Sequence, residues 1–84
     1  MTPDAPTAIR RALARIAPEA DLDGLAPDTD LQEELDLDSM DFLNFLIALG
    51  EQTGVSVPES DYAQVRTLGG CTAYVSARLD GTKG

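Results

Sequence analysis

The 84-residue sequence has no histidine, no tryptophan, one cysteine (Cys71) and no lysine or arginine between Ala17 and Val65. Each absence excludes something. Histidine is the commonest general base near neutral pH and the commonest zinc ligand, so a hydrolase carrying its own base is not expected. A lone cysteine builds neither an internal disulfide nor a cysteine-based metal cluster. No apolar run approaches the roughly 20 residues of a membrane span, so no membrane insertion is expected. The opening Met1-Thr2-Pro3-Asp4 lacks the apolar segment of a secretory leader, which points to the cytoplasm.

What is present is acid. The formal charge is −9, and every acidic residue except Asp4 and Asp80 lies in the stretch from Ala17 to Val65. The basic residues Arg10, Arg11, Arg15, Arg66, Arg78 and Lys83 all stand outside it. Such a field repels nucleic acid and anionic lipid, and it speeds encounter with basic protein surfaces. Taken alone, it is also what keeps a small protein in solution. At 43% hydrophobic residues the chain can bury one small core. We therefore expect a single domain over residues 1–84, ordered from about 5 to 79, with a frayed tail over 80–84.

Apolar spacing predicts an all-α fold. A first helix starts between Asp4 and Pro6, carries Ile9, Leu13 and Ile16 on one stripe, and stops before Pro18. A long connection follows, from Glu19 to Asp36, with Leu22, Leu25, Leu31, Leu35 and Leu37 spaced to anchor it. Asp30 and Glu33 stand at capping-box spacing for one short turn. The second helix runs from Ser39 to about Gln52, with Asp38 as N-cap and Gly54 as its stop. One apolar stripe holds Leu43, Leu46, Ile47 and Gly50, and the next holds Phe42, Phe45 and Leu49. Pro58 to Val65 forms a short third helix. Thr67 caps a last helix with Leu68, Cys71, Val75 and Leu79 on one face, where Gly69 and Gly70 weaken the first turn by about 1 kcal/mol each against alanine. The sum is a small four-helix bundle of three longer helices and one short helix, with a long first loop.

Within this frame Leu37-Asp38-Ser39-Met40-Asp41 stands out. It places a hydroxyl at the start of a strongly apolar helix, between two carboxylates. Taken alone, Ser39 is an ordinary first-turn residue. The acids of the long connection do not make a calcium loop: from Asp21, Leu25 and Ala26 fall where an acid and a glycine are required, and from Asp23, Leu25 and Pro27 fall on acid positions. No metal site is expected.

The order Leu37-Asp38-Ser39-Met40, then a helix ending at Gly54, then Val55-Ser56-Val57-Pro58 and Thr67-Leu68-Gly69, resembles the acyl carrier protein family over roughly Leu31 to Leu79. The resemblance implies a carrier, not an enzyme, with 4′-phosphopantetheine attached covalently to Ser39 and cargo held as a thioester on the arm's thiol. It implies a phosphopantetheinyl transferase and acyl-loading and acyl-processing enzymes with basic surfaces as partners. Asp38, Met40, Asp41, Asn44, Ile47 and Glu51 would meet them, the chain acting as a monomer. Leu46, Leu49, Val57, Val65 and Val75 are the candidates for a pocket around the acyl chain, although for any one of them an ordinary core position is the more common role. The second helix departs from the family pattern. Asn44, Gly50 and Gln52 stand where acids are common, and Thr53 where an aromatic is common, which points to a specialised discrete carrier. An aminoacyl or peptidyl carrier of a secondary-metabolite pathway, and an acidic helical interaction module, are the other readings. Cys71 reads as a small core residue.

Overall fold

The computed structural model describes residues 3–81. In chain order they form α1 (Ala5–Ile16), α2 (Leu31–Glu34), α3 (Ser39–Thr53) and α4 (Leu68–Gly81). Two 3-10 segments, Leu22–Gly24 and Glu59–Val65, interrupt the connections. No strand occurs among the described residues, and one isolated antiparallel bridge pairs Asp30 with Thr67. The all-α architecture is as expected. Two details differ. The third helix is a 3-10 segment, and α4 runs to Gly81 instead of fraying after Leu79. The rest of the expected tail, Thr82 to Gly84, lies outside the described residues.

Each long helix starts where its side chains satisfy backbone N–H groups that have no partner within the helix. Asp4 Oδ1 accepts from Thr7 N at 3.0 Å, and hydrogen bonding to Thr7, its side chain first and its backbone N–H second, holds the Asp4 carboxyl below the ordinary value. Pro6 sits in the first turn of α1, where it removes no helical hydrogen bond. Ile9 and Leu13 are buried as their spacing predicts, and Ala5, Ala8 and Ala12 are buried beside them. These small residues let α1 lie close to α3 and α4, the two helices it packs against. In α3, Phe42, Phe45, Leu46, Ala48 and Leu49 turn inward. The expected stripe of Leu43, Leu46 and Ile47 is split, because Leu46 faces the core while Leu43 and Ile47 stay exposed. Gly54 ends the helix at φ 76°, a left-handed conformation that glycine adopts at little cost.

The long connection is tied down by side chains and by backbone. Leu31 is fully buried, and Leu22, Leu25 and Leu35 pack against the core. Leu31 N donates to Arg66 O at 2.7 Å, Leu68 N to Thr29 O at 3.1 Å and Gly69 N to Pro27 O at 2.7 Å. The Arg66–Asp30 ion pair, at 2.8 Å, braces the same junction. This close approach explains Gly69 and Gly70. A Cβ on Gly69 would stand 2.9 Å from Pro27 O, and one on Gly70 would collide with the backbone carbonyl of Gln64.

The 3-10 segment Glu59–Val65 rests on α4 through a polar clasp. Tyr74 Oη donates to Asp61 Oδ2 at 2.7 Å, and Arg78 Nη2 donates to Tyr74 Oη at 2.8 Å. The Arg78 guanidinium also lies 4.7 Å from the Tyr74 ring centre and 3.5 Å from Asp61. Donation to Asp61 raises the Tyr74 phenol above its ordinary value, since its ionised form has no proton to give.

Candidate cofactor-attachment site

Asp36 and Leu37 set the approach to the site. Asp36 adopts φ 54°, and the chain then buries Leu37, so that the backbone enters α3 from Asp38. Asp38 Oδ1 accepts from Asp41 N at 2.8 Å. Asp41 closes a reciprocal box, its Oδ2 accepting from Asp38 N at 3.5 Å. This role of Asp41 was not anticipated from the sequence, because an aspartate stands where the usual box has glutamate or glutamine. Both carboxylates are therefore fixed beside the first turn.

Between them Ser39 is the first residue of α3 and is exposed. Its hydroxyl makes no hydrogen bond among the described residues. A group attached there lies at the positive end of a 15-residue helix, which favours an anion such as a phosphodiester. The site thus fits a phosphate-linked arm: a free nucleophilic oxygen, room around it and a favourable dipole. Among the described residues no group of three His, Cys, Asp or Glu side chains is placed to hold a metal ion. No helix there is long and apolar enough to cross a membrane.

The expected partner residues share the outer side of α3. Met40 is 64% exposed and Ile47 53%, with Leu43 exposed between them and Asn44 exposed alongside. Glu51 is exposed too, but its Oε1 accepts from Arg15 Nη1 at 3.1 Å, so part of its charge is already matched. Asp38 and Asp41 form no ion pair with any described cation.

Beside this face an open groove of about 370 Å³ runs between α3 and the segment after it. Leu43, Leu46 and Ile47 line it from α3; Val55, Val57 and Tyr62 line it from the other side. Of the five residues expected around an acyl chain, Leu46 and Val57 are here. Leu49, Val65 and Val75 are fully buried in the core instead. Tyr62 and Val55 also line the groove and were not among the expected residues. Val55 lay in a run too short to orient, and no apolar period reaches Tyr62 in a short acidic segment. Cys71 is buried, and burial pushes its thiol up to about 12, so it stays protonated at neutral pH.

The phosphopantetheine attachment site family matches residues 7–75, from the first turn of α1 well into α4. Among curated relatives, "Acyl carrier protein 2" of Ralstonia nicotianae is 38% identical over 55 residues, covering 66% of this chain and 68% of that protein. The "Acyl carrier protein" of Lactobacillus acidophilus is 27% identical over 59 residues, covering 70% and 74%. The "Meromycolate extension acyl carrier protein" of Mycobacterium bovis is 29% identical over 51 residues, covering 61% of this chain and 44% of that longer protein. No solved structure matches the chain. The chain belongs to the phosphopantetheine attachment site family, that of the acyl carrier proteins, and its cofactor is 4′-phosphopantetheine.

Proposed function

We propose that the chain is an acyl carrier loaded on Ser39, working in the cytoplasm and presenting its cargo to several enzymes in turn. The observation that carries this is the exposed, unbonded Ser39 hydroxyl at the first position of α3, framed by the Asp38–Asp41 box. In loading, the Ser39 oxygen attacks the phosphoryl group of coenzyme A that bears the pantetheine. A new O–P bond forms, the nucleotide leaves with the electrons of the broken P–O bond, and the serine proton passes to a base of the transferase. This chain needs no base of its own, in keeping with its lack of histidine. When attached, the cofactor supplies the terminal thiol that holds cargo as a thioester.

The chain's own residues orient the reaction. The Asp38–Asp41 box fixes the first turn, and the helix end stabilises the phosphodiester. Asp38 and Asp41 offer charge to a basic partner, while Met40, Leu43 and Ile47 offer apolar contact. Exposed charge pairs of this kind speed docking more than they tighten it, which suits a carrier that must leave each enzyme. The apolar groove favours acyl cargo over aminoacyl or peptidyl cargo.

The test is intact-mass spectrometry after incubation with coenzyme A and a broad-specificity phosphopantetheinyl transferase. Wild type is expected to gain one phosphopantetheinyl group and Ser39→Ala none. An unmodified wild type, or an equally modified Ser39→Ala, overturns the assignment.

A further inference from the structure

We propose that the Phe42–Tyr62 ring pair is a shut gate that keeps cargo out of the helical core, so that this carrier holds its acyl group along the surface groove. The proposal rests on the carrier reading above and adds where the cargo lies and which side chains decide it.

Tyr62 has one side in the groove and packs with the other against the core. Its ring meets Phe42 edge-on, with centroids 6.0 Å apart and planes at 81°. Phe42 in turn lies 5.9 Å from the ring of Phe45, which is fully buried. Three rings therefore run without a break from groove wall to core. Leu49, Val65 and Val75, the residues an enclosed chain would have to touch, sit at zero exposure in that core. A packed interior does not admit a chain unless something leaves its place.

Tyr62 is the side chain that would have to leave, and its neighbour holds it. Asp61 is pinned to α4 by Tyr74 Oη at 2.7 Å and by Arg78 at 3.5 Å, while Gln64 Nε2 donates to its other oxygen at 3.1 Å. These bonds hold the backbone that carries Tyr62, so a shift of the 3-10 segment away from α4 would strip the Tyr74 phenol of its carboxylate partner. The groove itself is ready without any motion. It has apolar walls in Leu46, Val55 and Val57, and at Gly50 the chain after α3 comes close to the helix, since a Cβ there would stand 3.1 Å from Val55 O. The favoured cargo is a short acyl group that the open groove accommodates, and a long chain gains no added shelter.

The experiment loads wild type, Tyr62→Phe and Tyr62→Ala with butyryl, octanoyl or dodecanoyl phosphopantetheine. It follows loading by intact mass, melting temperature by calorimetry and methyl NMR shifts residue by residue. In wild type and Tyr62→Phe, which both keep the ring, we expect shifts at Leu46, Ile47 and Val57 and a melting temperature independent of chain length. In Tyr62→Ala the melting temperature rises from butyryl to dodecanoyl, and the signals of Leu49, Val65 and Val75 move. A length-dependent rise with core shifts in wild type overturns the gate, as does a Tyr62→Ala variant that behaves like wild type. Should Tyr62→Ala fail to fold, Tyr62→Val removes the ring while keeping an apolar side chain, and the same two outcomes decide. Absence of any mass gain is a separate result: it removes the carrier reading, and the gate with it.

Discussion

At Asp38 one carboxylate caps the helix and, in the proposed reading, also meets a basic partner. Its Oδ1 accepts from Asp41 N at 2.8 Å, and its charge stands next to Ser39 without a cation to offset it among the described residues. Asparagine separates the two roles, because it caps a helix about as well as aspartate but carries no charge. Asp38→Asn is therefore expected to melt within a few tenths of a kcal/mol of wild type, whereas Asp38→Ala loses about 1 kcal/mol. Both variants should dock more slowly on a basic transferase at low salt, and the difference should fade as salt is added. Denaturation midpoints and stopped-flow association rates read these two effects separately. A normal docking rate for Asp38→Asn would confine Asp38 to capping. The placement of Ser39 at the start of α3 was legible in the sequence because its neighbours are: a cap, an apolar helix and a glycine stop are local signals. The pairing of Glu51 with Arg15 was not legible, since it joins residues far apart in the chain.

At the scale of elements, the junction between the long connection and α4 reverses what local propensity predicts. Judged as a helix position, Gly70→Ala should stabilise the protein by about 1 kcal/mol. In the fold, a Cβ there meets the Gln64 carbonyl and lies 2.8 Å from Thr67 Oγ1, the atom that accepts from Gly70 N at 3.0 Å. Overpacking of this kind costs typically 1–3 kcal/mol, which outweighs the propensity gain. Gly70→Ala is thus expected to lower the urea midpoint, and a raised midpoint would show that the junction relaxes freely. The same contrast explains which parts of the fold were legible. Helices α1 and α3 announce themselves through caps and periods that depend only on neighbours in sequence. The 3-10 form of Glu59–Val65, the clasp at Asp61 and the clips from Pro27 and Thr29 depend on what α4 brings alongside. In α3 the core-facing side was legible only in part. Two apolar stripes adjoin there, and only packing shows that Leu43 and Ile47 are left outside.

For the whole molecule the open quantity is the balance between its net charge of −9 and its few cations. Arg10, Arg15, Arg66 and Arg78 are each engaged with an acid, at Asp23, Glu51, Asp30 and Asp61. The first two pairs are well exposed, and such pairs contribute only about 0–1 kcal/mol each. Around Ser39, Asp36, Asp38 and Asp41 have no ion-pair partner among the described residues. Added salt weakens the four attractions and the larger set of repulsions together, over a screening length of about 10 Å at 0.1 M. With more than twice as many acids as bases in the chain, the repulsions dominate. Sodium chloride is therefore expected to raise the melting temperature. If screening recovers about 1 kcal/mol, the rise for a domain of this size is about 4–8 °C. Magnesium at matched ionic strength should do no better, because no three-ligand cluster among the described residues is placed to bind it. Calorimetry in sodium and magnesium chloride at equal ionic strength tests both points. A flat response to sodium would mean that the four ion pairs already offset the acidic field. A much larger response to magnesium would mean that carboxylates of the long connection converge on the ion in solution.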